Sequence, residues 1–346
     1  MLNKIKNRIE QELGSYIKRL DKKHSLSKIS PVLFSHIREF LLRKGKRIRP
    51  SLCVIGYLGF AKTPAPGLYT TALSLELLHD FMLVHDDIID KSDTRRGKPS
   101  MHAMLNRYLS RFRNIKFSGQ DLTIVIGDVM YAMALHAFMT IREKKENKEA
   151  ALEKLIEAAL YTGSGEFLEL LYGTKGIEQV KREDIYKIYD LKTANYTFAS
   201  PLAIGAILAG AGKDQADKLF DYGIYLGRAF QIKDDILGIL SEEKETGKSS
   251  LTDLREAKKT ILIWYAYNNS SVLNKRIITK ILTKDKAGLS DLHKMRRIIL
   301  ESGALDYAKK ETLRLLENAT DLIHSSKIKK PCKDLLTAFA QEALRI

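Results

Sequence analysis

Apolar residues recur at every third or fourth position along almost all of this chain, and that spacing leaves helix as the one regular structure open to it. Leu2, Ile5, Ile9, Leu13, Tyr16, Ile17 and Leu20 share one face of a helix predicted over 1–22. Ser30-Pro31 opens a second helix ending near 43–45, and Pro50 starts a third that runs to Gly59. TPAPG at 63–67 is a turn. A long apolar helix follows it, and a polar loop is expected at 91–100. Further helices are predicted at about 101–113, 121–142, 148–172, 181–196, 199–210, 214–241, 255–268, 272–282, 290–302, 303–324 and 330–345. No alternating strand pattern persists beyond a few residues, no period repeats, and no linker is long enough to divide domains. The fold class expected is all-α, one large helical bundle over 1–346. A length of 346 residues would fit two average domains as well as one such bundle, and an apolar fraction of 45% supplies its core.

The formal net charge of +16 admits nucleic acid, anionic lipid or polyphosphate as partners. Nucleic acid is the poorest fit. The lysines are spread along the chain and mixed with acids at helical spacing, as in KNRIEQELGSYIKRLDKK, with no recognisable module. Peripheral association with an anionic membrane is compatible with the charge. Cys53 and Cys332 belong to no metal or redox spacing and read as reduced thiols of a cytoplasmic protein. The segment after Met1 is amphipathic and charged, without the apolar centre of a signal peptide, and no uninterrupted apolar run approaches the roughly 20 residues of a membrane span.

The chemistry concentrates at 75–96, LELLHDFMLVHDDIIDKSDTRR. On a helix, Asp86 and Asp90 of this DDxxD set stack one turn apart with Asp87 beside them. Carboxylates crowded at the end of an apolar helix repel one another and are costly to desolvate. A divalent cation relieves both costs, and hard oxygen ligands point to Mg²⁺ rather than zinc. Mg²⁺ commonly completes its shell with phosphate oxygens, and Arg95 and Arg96 offer planar forks suited to phosphate. A second pair, Asp234 and Asp235 in GRAFQIKDDILG, also ends an apolar helix, with Gln231 on the same face. Two acidic helix ends in one bundle suggest two walls of a single metal-filled cavity. Lys46, Arg47 and Arg49 in GKRIRP, Lys192 (followed by Thr193) in IYDLKTANYT, and Lys248 and Lys258 in TGKSSLTDLREAKKT are basic groups expected to lack acidic partners. Cations so placed would suit a diphosphate held from both sides.

Taken together and in this order, the segments resemble those of a known family. GKRIRP is similar to a GKRxRP motif, ELLHDFMLVHDDIIDKSDTRRGKPS to a first aspartate-rich motif, LKTA to a KT motif and FQIKDDILG to a second aspartate-rich motif. ESGALDYAKK at 301–310 resembles a late segment of the same family. From about residue 30 to about 325 the chain resembles the trans-isoprenyl diphosphate synthases, the polyprenyl synthetase family, in its archaeal geranylgeranyl form. The resemblance implies an all-α fold around a deep central cavity, a homodimer, Mg²⁺, and condensation of isopentenyl diphosphate with an allylic diphosphate. It also implies roles. Lys46, Arg49, His79 and Arg96 would hold isopentenyl diphosphate. Asp86, Asp90 and Asp234 would ligate the metal with Asp87 and Asp235 supporting. Arg95, Lys192, Lys248 and Lys258 would neutralise the departing diphosphate, and Thr193 and Gln231 would face the developing cation.

Two departures stand out. Gly238 occupies the last position of the second motif, where many members carry aspartate, as it does in archaeal members. Leu251 and Ala257 occupy positions where the family often has glycine. Product length turns on Phe81 and Met82. Phe81 lies about 7.5 Å along the helix axis from Asp86, and a ring there can floor the pocket for the growing tail. An aromatic five positions before the first aspartate, with Met82 rather than a second aromatic, resembles the geranylgeranyl type. The competing readings are a farnesyl or longer-chain synthase, a terpene cyclase and a non-catalytic partner subunit. The cyclase would not need GKRIRP and His79, and the silent subunit would be expected to lose an acid set. The Glu76-x-x-His79 pair resembles half of a di-iron site, which requires a second such pair that the chain lacks.

Overall fold

Residues 1–95, 97–240 and 252–343 are described in the computed structural model of the protein. The described chain is all-α apart from one two-residue ribbon and forms two compact units. The first comprises Met1–Glu153 with Ile204–Ala211, and the second Lys154–Ala203 with Gly212–Ile346.

In the first unit, helices α1 (Leu2–His24), α2 (Leu26–Ile29), α3 (Pro31–Leu41), α4 (Ile48–Phe60), α5 (Leu68–Ile89), α6 (Met101–Leu109) and α7 (Gly119–Phe138) succeed one another. Their starts are written locally. Ser30 Oγ accepts from the Leu33 amide at 3.3 Å with Pro31 at the first helical position. Ser118 and Asp121 form a reciprocal capping box at α7. Helix α5 carries the acids and is central, packing on α7, α4 and α1. Among the described residues α7 is long and apolar enough, by length and composition, to cross a membrane, which corrects the reading that nothing approached such a span. Asp121 and Asp128 interrupt the sequence run without breaking the helix. Ile126, Met130, Met133, Ala134 and Ala137 of α7 are buried, and the helix packs on α5 and α6.

The expected polar loop at 91–100 holds instead a tight antiparallel ribbon, Thr94–Arg95 (β1) against Lys98–Pro99 (β2). Two paired residues per strand are too few for an alternation to register in sequence.

Helix α8 (Lys145–Gly173) lies mostly in the second unit, which continues with α9 (Arg182–Tyr189), a π-helix at Asp190–Ala199 and α10 (Ser200–Leu208, its last turns in the first unit). Then come α11 (Lys213–Leu240), α12 (Thr252–Arg255), α13 (Ile261–Asn268), α14 (Val272–Leu282), α15 (Leu289–Glu301), α16 (Ala304–Ser325) and α17 (Lys330–Ala343). The helix expected at 255–268 starts only at Ile261, because Thr260 caps it and Ala257 adopts a left-handed conformation at φ 51°. That conformation is the reason glycine suits position 257. The helix expected at 181–196 divides at Tyr189, where the hydrogen bonding widens into the π-helix.

Helix α11 packs on the π-helix and on α16. Gly223 and Gly227 make the approach to the π-helix close. A Cβ at Gly227 would lie 2.4 Å from Ala194 Cα, and one at Gly223 2.3 Å from Ala199 Cα. Gly227→Ala gains up to about 1 kcal/mol of helix propensity, but overpacking against backbone costs about 1–3 kcal/mol. The clash wins. Urea denaturation should show a net loss, and turnover should fall with it, because Gln231, one turn along α11, bonds the π-helix.

Candidate active site

At the C-terminal end of α5, Asp86 and Asp87 occupy the last turn and Asp90 caps it, its amide donating to the Asp86 carbonyl at 2.8 Å. Carboxylate oxygens of Asp86 and Asp90 lie within 4.8 Å of each other. Arg95 reaches back from β1, donating from Nε to Asp87 Oδ1 at 2.6 Å and from Nη2 to Asp86 Oδ2 at 3.0 Å. The two carboxylates differ in setting. Asp86 is half-buried, while Asp87 is fully buried with Oδ2 lacking a hydrogen-bond partner. Burial pushes the Asp87 carboxyl up, and Arg95 opposes it. His79, Phe81 and Met82 are half-buried further back on α5. The Phe81 ring contacts those of His85 at 4.9 Å and Tyr131 at 5.3 Å.

The basic loop before α4 is not uniformly at the surface. Lys46 is exposed and Arg49 half-buried, but Arg47 between them is buried, in a left-handed conformation at φ 51°. Its guanidinium donates to Glu76 Oε1 at 2.7 Å, Glu10 Oε1 at 2.8 Å and the carbonyls of Leu41 and Arg43 at 3.1 and 2.7 Å. Burial pulls its pKa down, and Glu76, Glu10 and Asp80 outweigh that, so it stays charged. Glu76 therefore answers a buried arginine, which explains the Glu-x-x-His spacing without a metal.

In the second unit a chain of hydrogen bonds links the π-helix to α11. Thr193 Oγ1 donates to Gln231 Oε1 at 2.8 Å, and Gln231 Nε2 donates to Asp235 Oδ1 at 2.9 Å. The Tyr189 hydroxyl donates to Asp235 Oδ2 and accepts the Ile261 amide at 3.0 Å. Burial, with the Asp235 charge beside it, holds the Tyr189 phenol well above its usual range, so it remains a donor. Asp234 is exposed where Asp235 is buried.

The expectation that the cations lack acidic partners is corrected. Lys192 pairs with Glu166 at 2.6 Å and with Glu169, Lys258 with Glu256 at 2.7 Å, and Arg95 with Asp86 and Asp87. Lys192 gathers its counter-charge from acids far away in sequence, which a local reading does not see, whereas the partner of Lys258 lies only two positions from it. Glu166 and Glu169 did carry a signal, since acids three apart share a helix face. Tyr189 and Tyr131 carried none. Arg96 and Lys248 lie outside the described residues, as does Leu251.

The donor set fits a hard divalent cation at the end of α5, with carboxylate oxygens close together and one buried oxygen of Asp87 without a hydrogen bond. The comparisons agree with this chemistry. The polyprenyl synthetase family model matches residues 30–299. A geranylfarnesyl diphosphate synthase of Aeropyrum pernix is 34% identical over 284 residues, covering 81% of this chain and 83% of the relative. A geranylgeranyl diphosphate synthase of Saccharolobus solfataricus is 31% identical over 300 residues, with 85% of each covered. The crystal structure of geranylgeranyl pyrophosphate synthase from Corynebacterium glutamicum, complexed with isoprenyl diphosphate and magnesium, is 26% identical and superposes with a TM-score of 0.89 over 100% of this chain and 99% of that one. With acid pairs, KT motif and basic loop in place and 270 consecutive positions matched by its model, the chain belongs to the polyprenyl synthetase family.

Proposed function

We propose that this protein condenses isopentenyl diphosphate with an allylic diphosphate to a trans-prenyl diphosphate, with geranylgeranyl diphosphate as the product. The observation that carries the reading is the α5 terminus, where Asp86 and Asp90 bring carboxylates within 4.8 Å and Arg95 is fixed beside them. In the first unit Asp86 and Asp90 would hold Mg²⁺, which supplies charge neutralisation of the leaving diphosphate when bound; in the second unit the exposed Asp234 would be a metal ligand. Asp87 and Asp235 are buried and hydrogen-bonded, so their part is to fix their neighbours.

The reaction breaks the allylic carbon–oxygen bond, its electron pair leaving with the diphosphate. The isopentenyl double bond then attacks the allylic carbon, and loss of a proton gives a chain five carbons longer. Arg95, Lys192, Lys248 and Lys258 oppose the negative charge that builds on the leaving group. Glu166 and Glu169 hold the Lys192 amine in place. Thr193 has one proton and gives it to Gln231, so its oxygen lone pairs remain to face positive charge. Lys46, Arg49, His79 and Arg96 hold the second diphosphate. An apolar surround protects the cation from water.

Incubation with labelled isopentenyl diphosphate and each allylic primer, with and without Mg²⁺, tests the reading. Metal-dependent elongation ending at twenty carbons is the expected result. Cyclised products, or no incorporation, would reject it, and a twenty-five-carbon end point would move only the product assignment. The homodimer rests on apolar side chains left exposed on α7, Ile124 at 48% and Val125 at 53%. Light scattering should therefore return twice 39.3 kDa.

A further inference from the structure

Between α6 and α7 the first unit carries an exposed loop whose side chains take no part in the chemistry proposed above. It runs SRFRNIKFS over 110–118, and Arg107, Arg111, Arg113 and Lys116 all face solvent there. The one acid in 106–121 is Asp121, and its carboxylate is committed to Ser118, whose amide and hydroxyl donate to it at 2.7 and 2.6 Å. Among the described residues, none of the four cations has an acidic partner. Beside them Phe112 is 53% exposed and Phe117 52%. Large apolar rings set among uncompensated charge mark a surface built to be covered.

The loop is held in shape. Asn106 staples its ends, its Oδ1 accepting from the Gly119 amide at 2.7 Å and its Nδ2 donating to Gln120 Oε1 at 3.2 Å. Gly119 permits that approach, since a Cβ there would fall 2.4 Å from the His102 carbonyl oxygen. Asn114 turns the chain in a left-handed conformation at φ 60°. Phe112 is propped by Tyr108 at 5.5 Å, and Tyr108 meets His36 of α3 edge-on at 6.2 Å. Arg111 lies over the Tyr108 ring at 5.8 Å. A loop tied in this way loses little freedom when something binds it.

The chemistry of the surface selects its partner. A second copy of this chain is disfavoured, because a two-fold contact would set like charge against like charge. Single-stranded nucleic acid answers the cations but needs a groove, and the unbroken exposure of 110–114 leaves none. Phenylalanine has no hydrogen-bonding group and gains only from hydrocarbon. Anionic headgroups above acyl chains offer phosphate and hydrocarbon together. We infer that 110–118 with Arg107 is a docking surface for an anionic lipid bilayer, its two phenylalanines entering the acyl boundary and its four cations meeting headgroup phosphates. This goes beyond the proposed activity and stands without it, since binding is read with no turnover.

The full-length protein is sedimented with vesicles of phosphatidylglycerol and phosphatidylcholine in equal parts, and with phosphatidylcholine alone, at about 0.15 M salt. The parent should bind the anionic vesicles at least about tenfold more tightly. Arg111→Gln with Arg113→Gln should weaken that binding about 25-fold, at roughly fivefold per cation. Phe112→Ser with Phe117→Ser should weaken it about tenfold or more. Lys4→Gln with Lys18→Gln, exposed on α1 and equal in charge, should weaken it less than about threefold. Phe112→Trp should add an emission that moves to the blue with anionic vesicles only, and it reports even where the serine double does not fold. Equal losses from the two cation doubles would reduce binding to net charge and overturn the inference. Binding that ignores both phenylalanines would overturn it as well. Retention of single-stranded RNA without vesicle binding, or a dimer that dissociates in the phenylalanine double, would overturn it in favour of another partner. No binding of the parent to anionic vesicles would overturn it outright and leave the proposed activity untouched.

Discussion

Asp86→Ala is expected to lower turnover by about 10²–10³-fold, the usual cost of removing one preorganised group that stabilises developing charge, while leaving the fold intact. The two halves of that expectation have separate causes. Asp86 shares its setting with Asp90, and its loss takes one of two close carboxylates from the proposed metal site. Its pair with Arg95 is partly exposed, with Asp86 at 24%, so breaking it costs at most about 1 kcal/mol of stability. Arg95 meanwhile stays held by Asp87. Asp87→Ala should behave in the opposite way. Asp87 is fully buried, and its removal leaves the Arg95 guanidinium without its shortest contact. Stability should fall by about 3 kcal/mol or more. Steady-state rates with labelled isopentenyl diphosphate, beside urea midpoints for both variants, make the comparison. Equal rates for Asp86→Ala and the parent would remove Asp86 from the chemistry.

Arg47→Met is expected to be the most destabilising single change in the basic loop, by about 3–5 kcal/mol. Its side chain is 0% exposed and satisfies Glu76, itself 3% exposed, together with two backbone carbonyls. Methionine fills much of the volume but leaves Glu76 charged and buried without its partner. Glu10 at 34% exposure recovers its hydration and contributes less. The double variant Arg47→Met with Glu76→Gln should regain most of the loss, because the uncompensated carboxylate is gone. Urea denaturation of the two singles and the double gives the coupling. Function should follow structure here. Lys46 and Arg49 flank Arg47, and the buried guanidinium anchors the loop that presents them. A raised KM for isopentenyl diphosphate, with the allylic KM little changed, is the kinetic counterpart.

The contrast between Lys46, Arg47 and Arg49 marks where sequence reading stops. Composition says that an arginine is at the surface, and for two of these three basic residues that holds at least in part. The third turns inward because Arg47 takes a left-handed backbone conformation and because Glu10 and Glu76 come from two other helices. None of this is encoded within five residues of it. The existence of the helices, by contrast, was legible, and the bounds of some of them too. The helix predicted at 272–282 has those bounds, since apolar spacing and a capping serine are both local. Both acid pairs sit at the expected ends of apolar helices. What escaped was every contact between distant segments: the glutamates around Lys192, the tyrosine behind Asp235, the ring behind Phe81.

The widened turns at Asp190–Ala199 carry one more implication. A π-helix amounts to an α-helix with a residue too many, and it persists only where the extra residue is put to use. Deleting a single residue inside it would let ordinary winding resume, and everything downstream would rotate by about 100° relative to Tyr189. Lys192 and Thr193 would then fall out of phase with Ala194 and Ala199, which seat against the glycines of α11. Length is therefore constrained here more tightly than composition. A lineage could exchange most letters of this segment and keep its chemistry, whereas losing one position would silence it.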